Sequence, residues 1–93
     1  DEAGATIFFQ GFQPVLRLKW RPDGKAASYH LTIWKDGSPR TLFFETTTAK
    51  AETLFPPGFF KQGVYYWRAS SLGFNKKARR EGRILRLEIR LDD

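Results

Sequence analysis

The chain has 93 residues, 41% hydrophobic and 16% aromatic, with no cysteine and a formal net charge of +6. This is the length of one domain with ample material for a core, so disorder is a poor reading; such a chain buries roughly 60–70% of its unfolded surface. Disulfides and cysteine-built metal centres are excluded, and no stretch approaches the ~18 uninterrupted apolar residues that span a bilayer.

In chain order, residues 1–6 are small and polar and read as a lead-in. Ile7–Phe9 is a short apolar run before Gly11 and suits a first strand at a sheet edge. After Pro14, Leu16, Leu18 and Trp20 alternate with Arg17 and Lys19, the period-2 pattern of a half-buried strand. The turn Arg21-Pro22-Asp23-Gly24 ends it. The next strand sets Tyr29, Leu31 and Ile33 on one face and His30, Thr32 and Trp34 on the other. Asp36-Gly37 then suits a tight hairpin. Arg40–Thr47 carries Leu42, Phe43 and Phe44 among threonines, a composition that favours strand. A fifth strand, Glu52–Phe55, precedes Pro56-Pro57-Gly58, and Val64–Ser71 is the sixth.

The last strand, Arg83–Leu91, pits two rules against each other. Leu, Arg and Glu favour helix by propensity. Yet Leu85, Leu87, Ile89 and Leu91 alternate strictly with Arg86, Glu88 and Arg90, and on a helix the apolar residues would spread over more than half the circumference. Alternation decides for strand. The expectation is an all-β domain of about seven strands with neither helix nor internal repeat, in which Trp20 points into the core. Because the chain begins at Asp1 rather than Met, it is expected to be a module cut from a longer protein.

Read together, these runs resemble a fibronectin type III domain over residues 7–91. Leu18-Lys19-Trp20 is similar to that family's second strand with its core tryptophan, and Tyr29–Ile33 to the third. Leu54, Pro57 and Tyr65 resemble the leucine, proline and tyrosine at the corner that opens the sixth strand. Gly63-Val64-Tyr65-Tyr66-Trp67-Arg68-Ala69 resembles a run common in bacterial members. The resemblance implies a seven-stranded immunoglobulin-like β-sandwich with Tyr65, Trp67 and Ala69 inside and Tyr66, Arg68 and Ser70 outside. It also implies an interaction or spacer module of a larger, bacterial, periplasmic or extracellular protein, and no chemistry. One departure is the segment Gly58–Gly63, longer than the family usually has; either the corner is stretched or Phe59 and Phe60 form an added bulge.

Catalytic chemistry finds little to work with. His30 is the only histidine and has no partnered nucleophile, so a solvated side chain is the simpler reading. One histidine and no cysteine make a poor zinc site, Asp36-Gly37-Ser38 lacks the acids of a calcium loop, and no phosphate-binding or cofactor motif is present. The expectation is a non-enzyme without metal or cofactor.

Two surfaces stand out for binding. Lys76, Lys77, Arg79, Arg80 and Arg83 put five bases against one acid, Glu81, in a segment read as the hairpin tip before the last strand. Such a tip attracts an acidic protein patch, an anionic glycan or nucleic acid; the plain alternative is solubility and protection of a sheet edge. Trp34, Tyr66, Arg68, Arg86 and Arg90 should share the outer face of the sheet made by strands three, six and seven. Aromatics beside arginines are what partner proteins or sugar rings rest on, and equally what stabilises an exposed sheet on its own. The reading is a protein-contact or spacer module, with anionic polymers as the second class of partner.

Overall fold

A computed structural model of the chain describes residues 4–9 and 15–91, with the side chains of 15–90. Every regular element among them is a strand: β1 (Gly4–Phe9), β2 (Leu16–Lys19), β3 (Ser28–Lys35), β4 (Thr41–Thr48), β5 (Glu52–Phe55), β6 (Gly63–Leu72), β7 (Ala78–Glu81) and β8 (Leu85–Leu91). The larger of two sheets runs β1-β8-β6-β3-β4, with β7 also paired to β6; the smaller is β2 with β5. Pairing is antiparallel throughout except for β1 on β8, which is parallel.

Alternation along each strand is what stacks the two sheets. Tyr29, Leu31 and Ile33 of β3, Tyr65, Trp67 and Ala69 of β6, and Leu87 and Ile89 of β8 are all buried. Facing them from the smaller sheet are Leu18 of β2 and Phe55 of β5. The result is a β-sandwich. Burying each large aliphatic or aromatic side chain contributes about 1.5–3 kcal/mol, which explains why β8 obeys its alternation rather than its helical propensity. Leu87 lies across from Tyr65, and Leu85 across from Trp67.

Phe43 and Phe44 are consecutive, yet both pack against the core. A regular strand would send them to opposite faces. The register of β3 on β4 shifts between Ile33, which pairs with Phe44, and Trp34, which pairs with Leu42. Phe43 is therefore the extra residue of a bulge. With Phe55, Phe59, Phe60 and Tyr65 the pair builds a continuous set of ring contacts, centroids 4.8–5.6 Å apart.

Several expectations need correction. Gly4–Phe9 is longer than the Ile7–Phe9 strand, so residues 4–6 are paired rather than a lead-in; residues 1–3 lie outside the described residues. Leu54 is 57% exposed and its neighbour Phe55 only 2%, so the alternation of β5 gives the core position to Phe55. The Asp36-Gly37 turn is not a two-residue hairpin, because β3 ends at Lys35 and β4 begins at Thr41. Trp20 lies beyond the end of β2 and is half-buried: its amide still donates to the Ala51 carbonyl (3.1 Å), but part of the indole faces an open side of the sandwich. The count of strands is eight among the described residues, because Ala78–Glu81 within the basic segment is itself a strand.

Candidate functional site

The five bases of the basic segment do not sit together on a loop. β6 and β7 are joined by Gly73–Lys77, a turn closed by Gly73 N–H to Lys77 C=O (3.0 Å) and Lys76 N–H to Gly73 C=O (2.9 Å). Asn75 Oδ1 accepts the Lys77 amide at 3.0 Å, and Lys76 takes a left-handed backbone (φ 63°) that asparagine or glycine adopts more readily. Lys76 and Lys77 stand on this turn, whereas Arg79 and Arg80 belong to β7 and Arg83 to the link into β8. The turn holds Phe74 in the open, 92% exposed. The sequence reading missed Phe74; the signal was an aromatic inside a Gly-Phe-Asn-Lys-Lys turn string, where no packing requires one.

Arg79 is taken up by the fold. Its Nε donates to Asp23 Oδ2 at 3.1 Å, and Ser71 Oγ donates to the same oxygen at 2.9 Å. Asp23 Oδ1 accepts the Lys25 amide at 3.0 Å. That backbone donor, then Ser71 and Arg79, hold the Asp23 carboxyl well below the ordinary 3.8, at about 2. The backbone of Asp23 is fastened separately: its N–H donates to Tyr29 Oη (3.0 Å), which donates to the Asp23 carbonyl (3.2 Å). A turn read from sequence as mere punctuation is thus the clamp between β2, β3, β6 and β7.

A second tyrosine makes the same clasp at the other end. Tyr65 Oη donates to the Lys61 carbonyl (2.9 Å) and accepts the Lys61 amide (3.0 Å). The corner is closed despite the long segment before it, and Phe60, 1% exposed, extends the core there. Burial pushes the Tyr65 hydroxyl above its ordinary pKa.

Of the five residues expected on the outer sheet face, three are brought side by side. Trp34 pairs with Tyr66 and Tyr66 with Arg86 in one row across β3, β6 and β8; Arg68 lies opposite Thr32. The face is largely satisfied by its own members. The Arg40 guanidinium stacks over the Tyr66 ring at 3.6 Å, Arg68 reaches Glu81 at 3.7 Å, and Glu88 takes Arg86 at 3.2 Å and Arg90 at 3.8 Å. His30 Nε2 meets Glu45 at 3.0 Å and Nδ1 meets Thr47 Oγ1 at 3.4 Å, an exposed cluster of carboxylate, imidazole and hydroxyl on the sheet face. Leu42, 59% exposed beside Trp34, is the apolar remainder of the face.

Beside Trp20 lies a cleft of about 330 Å³. It opens where β6 changes partner. Ser70–Leu72 pair with β7 and Gly63–Trp67 with β8, and the chain crosses between them at Gly82. Gly82 N–H donates to Ala69 C=O at 2.8 Å, and a Cβ on Gly82 would stand 2.4 Å from that oxygen, so only glycine passes. Trp20, Tyr29, Trp67 and Leu85 line the cleft, and Trp20 packs against Tyr29 and Trp67 with centroids 5.9 and 6.3 Å apart. Lys19, Arg21, Arg80 and Arg83 also line it, with Asp23 and Glu81. The buried Trp20 Nε1 has no hydrogen-bond partner among the described residues.

Among the described residues no group of three or more His, Asp or Glu side chains is placed to hold a metal ion, and no helix is long and apolar enough to cross a membrane. No protein-family model, curated protein or solved structure matches this chain.

Proposed function

We propose that this chain is a non-catalytic recognition module of the fibronectin type III kind, which contacts a protein partner through the β6–β7 turn. The fold reading is supported by the division of strands, β2 with β5 against β8-β6-β3-β4, and by Tyr65 bonded to backbone four residues upstream. Its setting, a larger bacterial periplasmic or extracellular protein, rests on the sequence resemblance. The partner reading is carried by Phe74. An aromatic ring at 92% exposure adds nothing to the fold, and the hydrogen bonds of its turn lower the backbone ordering that its use as an anchor would cost. Lys76 and Lys77 flank it, which favours an acidic surface around the apolar contact.

A peptide-display selection tests this. Selected peptides should combine an apolar cluster with acids, and Phe74→Ser should abolish their binding while leaving the melting temperature unchanged. Peptides that bind Phe74→Ser as well as the parent domain would refute the role of the turn.

The second reading, an anionic polymer, is favoured by one observation. Among the described residues, Lys76, Lys77, Arg80 and Arg83 join no ion pair, so their charge is available to a polyanion. Such binding would survive Phe74→Ser, and partner binding through Phe74 would not.

A further inference from the structure

We infer that the cleft beside Trp20 binds an acidic sugar unit, a hexuronate ring within a glycan. This does not rest on the role proposed for the β6–β7 turn.

The cleft falls at the small end of the ~300–1,000 Å³ that small-molecule sites occupy, so it suits one or two rings rather than an extended strand. Its chemistry is divided. The floor is apolar and its rings are fixed by mutual packing. The mouth carries Lys19, Arg21, Arg80 and Arg83, all exposed and none in an ion pair among the described residues. The two acids there are already occupied: Asp23 by Ser71 and Arg79, and Glu81 by Arg68. The mouth is thus an uncompensated positive rim around an apolar floor.

A ligand matching both parts has a compact ring with a hydrocarbon face and a carboxylate on its edge. The shape of the floor narrows this further. Tyr29 and Trp67 are buried, so of the aromatic rings only part of the Trp20 indole faces the cleft, beside Leu85, both half-buried, and a nucleobase would have part of one ring to stack on. The C–H face of a pyranose packs on such a surface through dispersion, and its carboxylate reaches a guanidinium in the two-pronged geometry arginine provides. Arg80 and Arg83 are the pair best placed for this, because the bend at Gly82 sets them on either side of the crossing.

The test uses tryptophan fluorescence, since two of the three tryptophans line the cleft; Trp34→Phe removes the third. The domain is titrated with a hexuronate trisaccharide, the matching neutral trisaccharide, triglutamate and a trinucleotide. Saturable change is expected with the uronate alone. Losing a charged hydrogen-bonding partner costs about tenfold or more in affinity, so Arg80→Ser with Arg83→Ser should weaken binding at least that much. Should the double variant melt early, Arg80→Lys with Arg83→Lys keeps the charge and removes only the fork, and should still weaken binding. Lys76→Ser with Lys77→Ser should leave it intact. The inference is overturned by no saturable change with the uronate, by equal binding of the neutral sugar, triglutamate or trinucleotide, or by arginine variants that bind as the parent does.

Discussion

Removing one oxygen from Tyr65 isolates the corner on which the sixth strand turns. Tyr65→Phe keeps the ring, so its contacts with Phe43 and Phe60, both at 5.0 Å between centroids, are preserved. What goes is the pair of bonds between the hydroxyl and the Lys61 backbone, at 2.9 and 3.0 Å. A protein hydrogen bond contributes about 0.5–1.5 kcal/mol net, so losing two predicts a cost of about 1–3 kcal/mol. In a domain of this size that lowers the melting temperature by about 5–20 °C. Equilibrium urea unfolding with an unchanged slope measures the same loss. Tyr66→Phe is the control, since Tyr66 sits on the outer face under Arg40, and it should change stability by less than about 0.5 kcal/mol. Alkali gives a further check. Because burial raises the Tyr65 pKa above 10.0, the protonated hydroxyl stabilises the fold fully below that pH, and the benefit fades as pH rises through the folded-state pKa. The parent domain should then lose its advantage over Tyr65→Phe. A phenylalanine variant within 0.5 kcal/mol of the parent at neutral pH, a span about the size of an ordinary surface change, would refute the corner's role.

Three other substitutions probe the rest of the frame. The Asp23 carboxylate is held at about 2, so its contribution is complete above the ordinary 3.8 and lost as pH falls toward 2; Asp23→Asn should be less stable at pH 7, with the gap closing across that acid window in urea midpoints. A gap that stays constant from pH 7 to 2 counts against it. Gly82→Ala pushes a methyl group into the Ala69 carbonyl and should cost about 1–3 kcal/mol, read as faster hydrogen exchange in β7 and a lower melting temperature; parent-like melting means the crossing is not tight. Trp67→Ala should cost about 3–5 kcal/mol, and Trp20→Ala less because it is the more exposed of the two; equal losses in thermal melts would contradict the open cleft.

Period-2 patterning in the sequence located β2, β3, β6 and β8 to within a residue or two, because each has one face that must be buried. Where burial is not the constraint, the sequence misleads. The four residues of β7 are all exposed, so Ala78–Glu81 carries no alternation and reads as a charge run. Phe43 breaks alternation because a bulge, which depends on the partner strand, turns it inward. Leu54 and Phe55 are both apolar, and only the pairing of β5 on β2 decides which faces the core. The clamp around Asp23 was illegible for a different reason: Ser71 and Arg79 stand far from it in sequence, and a single chain carries no sign of such a meeting.

The basic segment shows how one composition can hold several roles. Protection of a sheet edge needs only charge, and any of its bases would serve. The positions they occupy are more particular than that. Arg79 is bound to Asp23 and belongs to the frame, Lys76 and Lys77 flank Phe74 on the turn, and Arg80 and Arg83 line the cleft on either side of Gly82. Edge protection alone would leave the five interchangeable. If they are not, Arg79→Ser should lower stability and spare binding, while the lysine pair and the arginine pair should each affect a different ligand and leave stability alone. The fold itself draws the distinction, because the switch of β6 from β7 to β8 both opens the cleft and separates its two arginines from the turn.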